Sequence, residues 1–373
     1  MYVPLKIALS VIFSVVVAAV VGRMCTSQQS HDELITGQWQ PEPLPEVENA
    51  KGPESYAYDP NGGGPYAGVS DGWIVKWVEA ERRWIDFAFS SPHREGCGDP
   101  SMEHICGRPL GVRFNQSSGD LYICDAYYGL LKVGPKGGVA TVIANQAEGI
   151  PFKFTNGLDI DPETGILYFT HSSSKFDRRN YIQTLLTGDA SGRLMKYDPT
   201  TKQVTVLVNN LAFPNGVLMS DDGNYIFVVE MLKKRVIKYW IKTEKVGTIE
   251  VFARLPGAPD NIHKSPRGGY WVAIYSKNDK FMKFIQERPA IGKFLSSLPI
   301  DPMKIYLLMS KLKLKIIPGT GVRLDENGEV LEEFFDEKSG ALSEIMEKDG
   351  YVWVGSVNVP VAIRYKVRDD QLA

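Results

Sequence analysis

The sequence predicts an all-β fold, a six-bladed β-propeller, with a helical insertion and an N-terminal hydrophobic segment. Short runs of Val, Ile, Tyr, Phe and Trp alternate with clusters of Asp, Asn, Gly and Pro, which is typical of short strands joined by tight turns. A strand-turn-strand unit also recurs about six times, at the spacing of roughly 40 to 50 residues that propeller blades have. Clear copies begin at Gly107, Thr155, Pro214 and Pro259, and weaker copies begin at Glu54 and Leu342. A pair of β-sandwiches is the competing fold, and the regular spacing argues against it.

An uncharged apolar run, residues 7–22, lies between Lys6 and Arg23 and predicts an export signal within residues 1–24. Its length falls between the core of a signal peptide, about 7 to 15 residues, and a bilayer span of about 20 residues. A cleaved signal and a membrane anchor therefore both stay open. We expect the rest of the chain in the lumen of the secretory pathway, which means the endoplasmic reticulum, the vacuole or the outside of the cell. Residues 25–52 are predicted to be a polar linker and residues 53–368 the propeller.

Charge and cysteine content bear on possible partners and on covalent modification. Lys and Arg total 42 against 44 Asp and Glu, so the chain has no basic field for a phosphate backbone and we expect no nucleic-acid partner. In an oxidising lumen, Cys97 and Cys106 are close enough in sequence to predict a disulfide. Cys124 lies in an apolar strand and is interpreted as a small buried side chain. Asn115 is in the only Asn-X-Ser/Thr motif, which predicts one glycan.

Residues 279–317 do not follow the strand pattern. Met, Leu, Ile and Phe recur there at helical spacing among basic residues, which predicts a helical insertion between two blades. Such a basic, apolar segment could cap the channel mouth, or touch an anionic membrane together with the N-terminal segment. Packing of an amphipathic helix on the side of the domain is the other interpretation.

Polar residues recur where the chain enters the inner strand of a repeat. In a propeller these positions converge on the central channel, although they are far apart in sequence. They are Glu54, Asn156, Asn215, Asp260 and Asn261, called the five donors below. Carboxylate and amide oxygens are hard ligands of the kind that Ca²⁺, with six to eight ligands, requires. Because Asn-Gly and Asp-Asn are also common turn dipeptides, a purely structural role in turns stays open for each residue.

Two further features are candidates for chemistry. His171, at the end of a blade strand, could relay a proton near neutral pH, although a lone histidine on a strand is often structural. Arg178 and Arg179 lie on an insertion that lengthens the same blade. They could form a positive lip at the channel or belong to a solvated loop.

The stretches CGRPLGVRF, TNGLDIDPETG, FPNGVLMSDDG and PDNIHKSPRGGYWV, within residues 53–367, resemble the strictosidine synthase-like family. That family includes the animal adipocyte plasma membrane-associated protein, and it resembles paraoxonases and gluconolactonases more distantly. The resemblance implies a six-bladed propeller with one Ca²⁺ in the channel. It also implies that the five donors match the metal-ligand positions one by one.

The resemblance implies two activities for a small molecule bound in the channel. One is calcium-assisted hydrolysis of an ester, lactone or phosphotriester, with Asp260 as a ligand and as base or nucleophile. The other is the condensation of tryptamine with secologanin, which needs a glutamate after the Trp-Val strand of a blade. Residues 273–279 contain no glutamate, and Lys277 would repel an ammonium group, so the sequence argues against condensation. A propeller that binds a ligand without catalysis is the third hypothesis.

Overall fold

A computed structural model describes residues 39–47, 51–277, 280–297, 319–336, 340–360 and 362–367. The predicted export signal, most of the predicted linker and residues 298–317 of the predicted insertion lie outside these ranges. Within them the chain forms the predicted six-bladed propeller, in which six sheets follow one another and the inner strand of each contacts the inner strand of the next.

Each blade is an antiparallel sheet, and the strands of each blade are named below from the inner strand outward. Blade 1 contains Tyr56–Ala57, Tyr66–Gly68, Trp73–Val78 and Arg83–Phe89, with Gly138–Val139 added in parallel at its outer edge. Blade 2 contains Pro109–Phe114, Leu121–Asp125, Gly129–Val133 and Thr141–Ala144. Blade 3 contains Thr155–Ile160, Leu167–His171, Gly192–Asp198 and Gln203–Leu211. A short hairpin, Gln146–Ala147 and Ile150–Pro151, lies between blades 2 and 3.

The second half of the ring repeats this pattern. Blade 4 contains Pro214–Met219, Tyr225–Glu230, Arg235–Trp240 and Ile249–Arg254. Blade 5 contains Gly257–Lys264, Tyr270–Lys277, Gly319–Leu324 and Val330–Asp336. Blade 6 contains Glu344–Lys348, Tyr351–Gly355, Ile363–Lys366 and, as its outer strand, Gln40–Pro43.

The outer strand of blade 6 closes the ring. It lies within residues 25–52, which were predicted to be a linker, so that prediction is wrong for residues 40–43. Gln40–Pro43 pairs with the last strand of the chain, and Leu44 and Val47 after it are 4% and 5% exposed. The Arg364 guanidinium donates to Glu42 of this strand at 2.8 Å and to Glu79 of blade 1 at 2.7 Å. Acidic and proline-rich composition suggested a linker, but the backbone of a short outer strand needs few apolar side chains.

Apolar side chains fill the space between neighbouring blades. Phe227 of blade 4, for example, packs against Tyr270 of blade 5 with ring centroids 4.6 Å apart. The free Cys124 is fully buried in the same layer, as predicted. Burying such side chains stabilises each by about 1.5–3 kcal/mol, so the blades hold together mainly through these faces.

Helices occur in the connections. They are Pro100–Met102, Glu103–Cys106, Arg178–Asn180, Tyr181–Thr187, Met231–Lys233, Lys280–Gln286 and Pro289–Ser297. The insertion is therefore helical over its described part, residues 280–297. Within the described residues, none of these helices is long and apolar enough to cross a membrane.

Three of these helices, Tyr181–Thr187, Lys280–Gln286 and Pro289–Ser297, pack together and are called the helical cap. Gly292 allows the closest approach, since a Cβ there would lie 1.9 Å from the carbonyl oxygen of Leu186. The Ser296 hydroxyl also donates to the Gln183 side chain. The cap joins insertions of blades 3 and 5, as expected of a cover over the channel mouth.

Two predicted covalent features fall in the described residues. Cys97 and Cys106 form the predicted disulfide, with an S–S distance of 1.98 Å. Asn115 lies in the turn after Phe114 and is partly exposed, and its side-chain oxygen accepts from the backbone of Ser117 at 2.9 Å. Glycosylation of Asn115 stays a prediction.

Candidate metal centre in the propeller channel

The structure places four of the five donors on the inner strands of blades 3, 4 and 5, and it places Glu54 just before the inner strand of blade 1. All five side chains are buried, with exposed fractions between 2% and 6%. The Asn261 amide donates to Glu54 Oε1 at 3.2 Å, although the two residues lie in blades 5 and 1. The Asn215 amide donates to Asp260 Oδ1 in the next blade. Their role as metal ligands stays a prediction.

Glycine lets these strands approach so closely. Gly111, Gly157 and Gly216 each lie in extended backbone against the inner strand of the following blade. A Cβ on Gly157 would lie 2.5 Å from the carbonyl oxygen of Asn215, and a Cβ on Gly216 would lie 2.7 Å from Asn261 Cα. The Asn-Gly dipeptides are therefore strand residues at the channel wall, which overturns the alternative that they form turns.

The three amide nitrogens of the site all donate hydrogen bonds, whereas the amide oxygens of Asn156 and Asn215 have no partner. Asn156 Nδ2 donates to the Ser172 hydroxyl at 3.1 Å, just as the amides of Asn215 and Asn261 donate to carboxylates. Three buried oxygens then have no hydrogen-bond partner. They are Glu54 Oε2, Asn156 Oδ1 and Asn215 Oδ1. Each buried polar atom without a partner lowers the free energy of unfolding by about 1–3 kcal/mol. A hard cation would satisfy all three, so the residues present fit Ca²⁺.

Burial disfavours the ionised forms of the two acids of the site, Glu54 and Asp260. Burial and the nearby Glu344 raise the pKa of Glu54 to about 7. Burial, Glu54 and Glu344 raise the pKa of Asp260 well above its ordinary value. Both carboxylates would ionise fully beside a divalent cation, which replaces the lost hydration. In the described part of the chain no three His, Cys, Asp or Glu side chains form a metal cluster, so amide oxygens have to supply the remaining side-chain ligands.

Glu344, which sequence reasoning missed, is a third buried carboxylate in the channel. It is 0% exposed and borders a small cavity together with Asn261 and His263. Its Oε1 lies 2.5 Å from His263 Nε2. Burial raises the pKa of Glu344 to about 8, and burial and Arg113 hold the pKa of His263 well below its usual range. Both pKa shifts favour the neutral forms, so this contact is not an ion pair.

Arg113 lines the same cavity. Its guanidinium contacts the His263 ring at 3.1 Å and Asp159 at 3.4 Å, and it donates to the carbonyl oxygen of Tyr56 at 3.2 Å. These partners lie beyond the five donors, so the arginine does not separate them. One cavity of the channel is thus bordered both by a donor, Asn261, and by the network of Arg113, His263 and Glu344.

At the channel mouth, Arg178 is held in place rather than solvated. Arg178 Nη1 contacts both carboxylate oxygens of Glu103, at 2.7 and 2.6 Å, and the Tyr127 hydroxyl donates to the same carboxylate at 2.5 Å. The charge of Arg178 favours the ionised forms of Glu54 and Asp260, which places it near the site. Arg178 therefore agrees with the positive-lip interpretation, whereas its neighbour Arg179 is exposed.

An apolar cluster lies between the helical cap and the site. Its members sit at the first residues of the inner strands or in the loops beside them. They are Leu110, Ala126, Phe154, Phe213 and Met231, with Tyr127, Tyr181, Leu232, Ala258 and Tyr275 packed against them. Because Tyr181 begins a helix of the cap, the cap covers the mouth instead of the side of the domain. A molecule that reaches the five donors from this side meets aromatic and aliphatic side chains first.

His171 does not have the surroundings of a catalytic base. It is fully buried, and its two ring nitrogens face the backbone N–H of Lys153 and the Arg193 guanidinium, each at 3.0 Å. Burial, Arg193 and Lys153 lower the pKa of His171 to about 3. The surroundings of His171 therefore argue against the predicted role of base, because both ring nitrogens face N–H donors and two cations oppose protonation.

The charge argument based on Lys277 also needs correction. Lys277 Nζ lies 2.9 Å from Glu333 Oε2 and 5.0 Å from the centre of the Phe335 ring. Its charge is paired within blade 5 and offers little repulsion to an ammonium group in the channel. Asp279, the last residue of the stretch 273–279, lies outside the described residues.

Two family models match the sequence. One describes strictosidine synthase and matches residues 156–244, and the other describes the N-terminal part of strictosidine synthase-like proteins and matches residues 44–77. Among solved structures, a gluconolactonase from Xanthomonas campestris has a TM-score of 0.58 and 11% identity and covers 89% of this chain and 91% of its own. Regucalcin, a calcium-binding protein from Agrobacterium tumefaciens, has a TM-score of 0.55 and 15% identity, with coverages of 87% and 96%. These structures share the fold.

Curated relatives are much more similar in sequence. The strictosidine synthase-like 2 protein of Arabidopsis thaliana is 49% identical over 332 residues, which cover 85% of this chain and 87% of the relative. The strictosidine synthase-like 10 protein of the same plant is 43% identical over 363 residues, which cover 94% and 96%. The chain therefore belongs to the strictosidine synthase-like family.

Proposed function

We propose that this protein is a calcium-dependent hydrolase that acts on small esters or lactones in the propeller channel. The supporting observation is the group of three partnerless buried oxygens on Glu54, Asn156 and Asn215, beside the carboxylate of Asp260. The named activities of the gluconolactonase and of regucalcin agree with it, although that likeness extends to the fold alone.

The five donors would hold Ca²⁺ with their oxygens. When bound, the ion acts as a Lewis acid that polarises a carbonyl oxygen. Asp260 is the residue of this set best suited to take a proton from water or to attack the carbonyl, since Asn215 orients its carboxylate by donating to Oδ1. The apolar cluster under the helical cap would hold the hydrocarbon part of the substrate and exclude bulk water.

The test is an Asp260→Asn variant, which keeps the shape and removes the charge. We expect it to lose hydrolysis of aryl esters and lactones, and to lose the rise in melting temperature that Ca²⁺ gives the unsubstituted protein. Glu230→Gln is the matched control, because Glu230 is buried like Asp260 but pairs with Arg235 instead of with the five donors. Activity that persists in excess chelator would contradict the proposal.

Glu344 favours a second candidate function, the condensation of an amine with an aldehyde. A buried glutamate in the channel with its pKa raised to about 8 could carry the proton that such a condensation moves. Mass spectrometry after incubation with tryptamine and secologanin tests this, and absence of a condensed product counts against it. Bound metal without turnover in either assay would instead favour a non-catalytic binding propeller.

We also propose a lumenal location, which the Cys97–Cys106 disulfide supports because such bonds persist in oxidising compartments. Contact with an anionic membrane through the insertion is supported by Phe294, 58% exposed, beside the exposed Lys293. Cell fractionation and sedimentation with anionic vesicles test these points. Recovery in the cytosolic fraction, or no binding to vesicles, would contradict them.

A further inference from the structure

We infer that Ser172 is a positioning residue that fixes the orientation of the Asn156 amide in the channel site. This inference rests on the proposed calcium site and extends it to a residue outside the five donors. Ser172 follows the second strand of blade 3 and is 0% exposed. It contacts Asn156 on one side and the backbone of blade 4 on the other.

The count of protons at Ser172 sets the direction of both hydrogen bonds. The hydroxyl has a single proton, which it donates to the carbonyl oxygen of Pro214 at 2.8 Å. Only lone pairs then remain to face Asn156, and they accept from Nδ2 at 3.1 Å. A flipped amide would place Oδ1 against an oxygen without a free proton. The nitrogen of Asn156 is therefore held at Ser172, and its buried, partnerless Oδ1 is directed to the site.

The same strand end also supports the neighbouring donor. The Thr170 hydroxyl accepts from the backbone N–H of Gly157 at 3.0 Å and donates to the carbonyl oxygen of Asn215 at 2.6 Å. Ser172 and Thr170 thus connect the backbones that carry Asn156 and Asn215. Since the carbonyl of Pro214 directly precedes Asn215, loss of the Ser172 hydroxyl would loosen two donors at once.

The substitution that tests this is Ser172→Ala, which leaves the Asn156 amide free to flip. We expect a tenfold to hundredfold weaker affinity for Ca²⁺, the range seen when residues that orient metal ligands are removed. Ser172→Thr keeps a hydroxyl and should restore most of the affinity. Ser173→Ala is the matched control, because Ser173 is also 0% exposed but donates to Asp189 at 2.7 Å.

The experiment is calorimetric titration of Ca²⁺ into the four full-length proteins after removal of metal with chelator. Weak binding by Ser172→Ala alone, with near-normal binding by Ser172→Thr and Ser173→Ala, supports the inference. Equal affinity of Ser172→Ala and the unsubstituted protein overturns it and leaves the proposed function intact. Equal loss in Ser172→Ala and Ser173→Ala also overturns it, since a general packing defect explains that result. Absence of binding by the unsubstituted protein overturns the calcium site itself, and the inference with it.

Discussion

A single methyl group at Gly157 should disturb both the stability of the propeller and its channel site. A Cβ at this position would lie 2.5 Å from the carbonyl oxygen of Asn215 and 2.9 Å from Gly216 Cα. An ordinary contact begins at 3.4 Å, so the inner strand of blade 4 would have to move by about 0.9 Å. Both obstacles are backbone atoms within a hydrogen-bonded sheet, and no flexible side chain can give way.

We expect Gly157→Ala to lower the free energy of unfolding by about 3 kcal/mol, the upper part of the range for overpacked cores. Urea denaturation followed by tryptophan fluorescence measures it. Gly134→Ala is the control, because the nearest atom to a Cβ there is 4.0 Å away and the backbone is not left-handed. Because Asn215 would move with its strand, Ca²⁺ affinity should fall as well. If both variants were equally stable, the inner strands would not pack as described.

Three further predictions concern other parts of the molecule. In excess chelator the free energy of unfolding should fall as pH rises from about 5 to 8, since Glu54, with its pKa raised to about 7, keeps a proton that the unfolded chain has lost; Glu54→Gln should flatten this profile in urea titrations. Replacing Cys97 and Cys106 with serine should cost about 2.5 kcal/mol of stability in the same assay, from loss of a short closed loop, and an unchanged midpoint would contradict the cross-link. Arg364→Met should lower the free energy of unfolding by about 1–2 kcal/mol by freeing the outer strand of blade 6. Amide exchange at Gln40 and Glu42, which have backbone N–H groups, unlike the two prolines of this strand, should rise, whereas unchanged protection would refute the role of Arg364 in closure.

Much of the fold could be predicted from the sequence because the propeller is a repeat. Four copies of one unit are clear, each became a blade, and three of the four carry donors at the channel. The five donors came from the same reasoning, since equivalent positions of a radial repeat face a common axis. Ring closure could not be predicted this way, because Gln40–Pro43 completes blade 6 from the far end of the chain and shows no repeat of its own.

Two departures from the sequence analysis, the missed Glu344 and the surroundings of His171, also have physical reasons. Glu344 stands at the inner strand of the weakest repeat, where the chain reads LSEIMEK, and a better alignment of that copy with Glu54 would have found it. His171 was chosen for its ordinary pKa, which burial and Arg193 abolish. Sequence supplies the type of a side chain and its repeat position, whereas the partners that decide its protonation come from neighbouring strands and blades.

The mixture of acids and amides would suit the proposed calcium site both with and without its metal. Two carboxylates, Glu54 and Asp260, would balance the charge of one divalent cation, and the amides of Asn156, Asn215 and Asn261 would add ligands without adding charge. Without the cation, raised pKa values let protons neutralise both acids, so no buried anion is left unpaired. Five carboxylates at the same positions would repel one another in the metal-free chain. Replacement of Asn215 by aspartate should therefore destabilise the chelated protein more than the calcium-loaded one, and an equal loss in both states would contradict this account of the site.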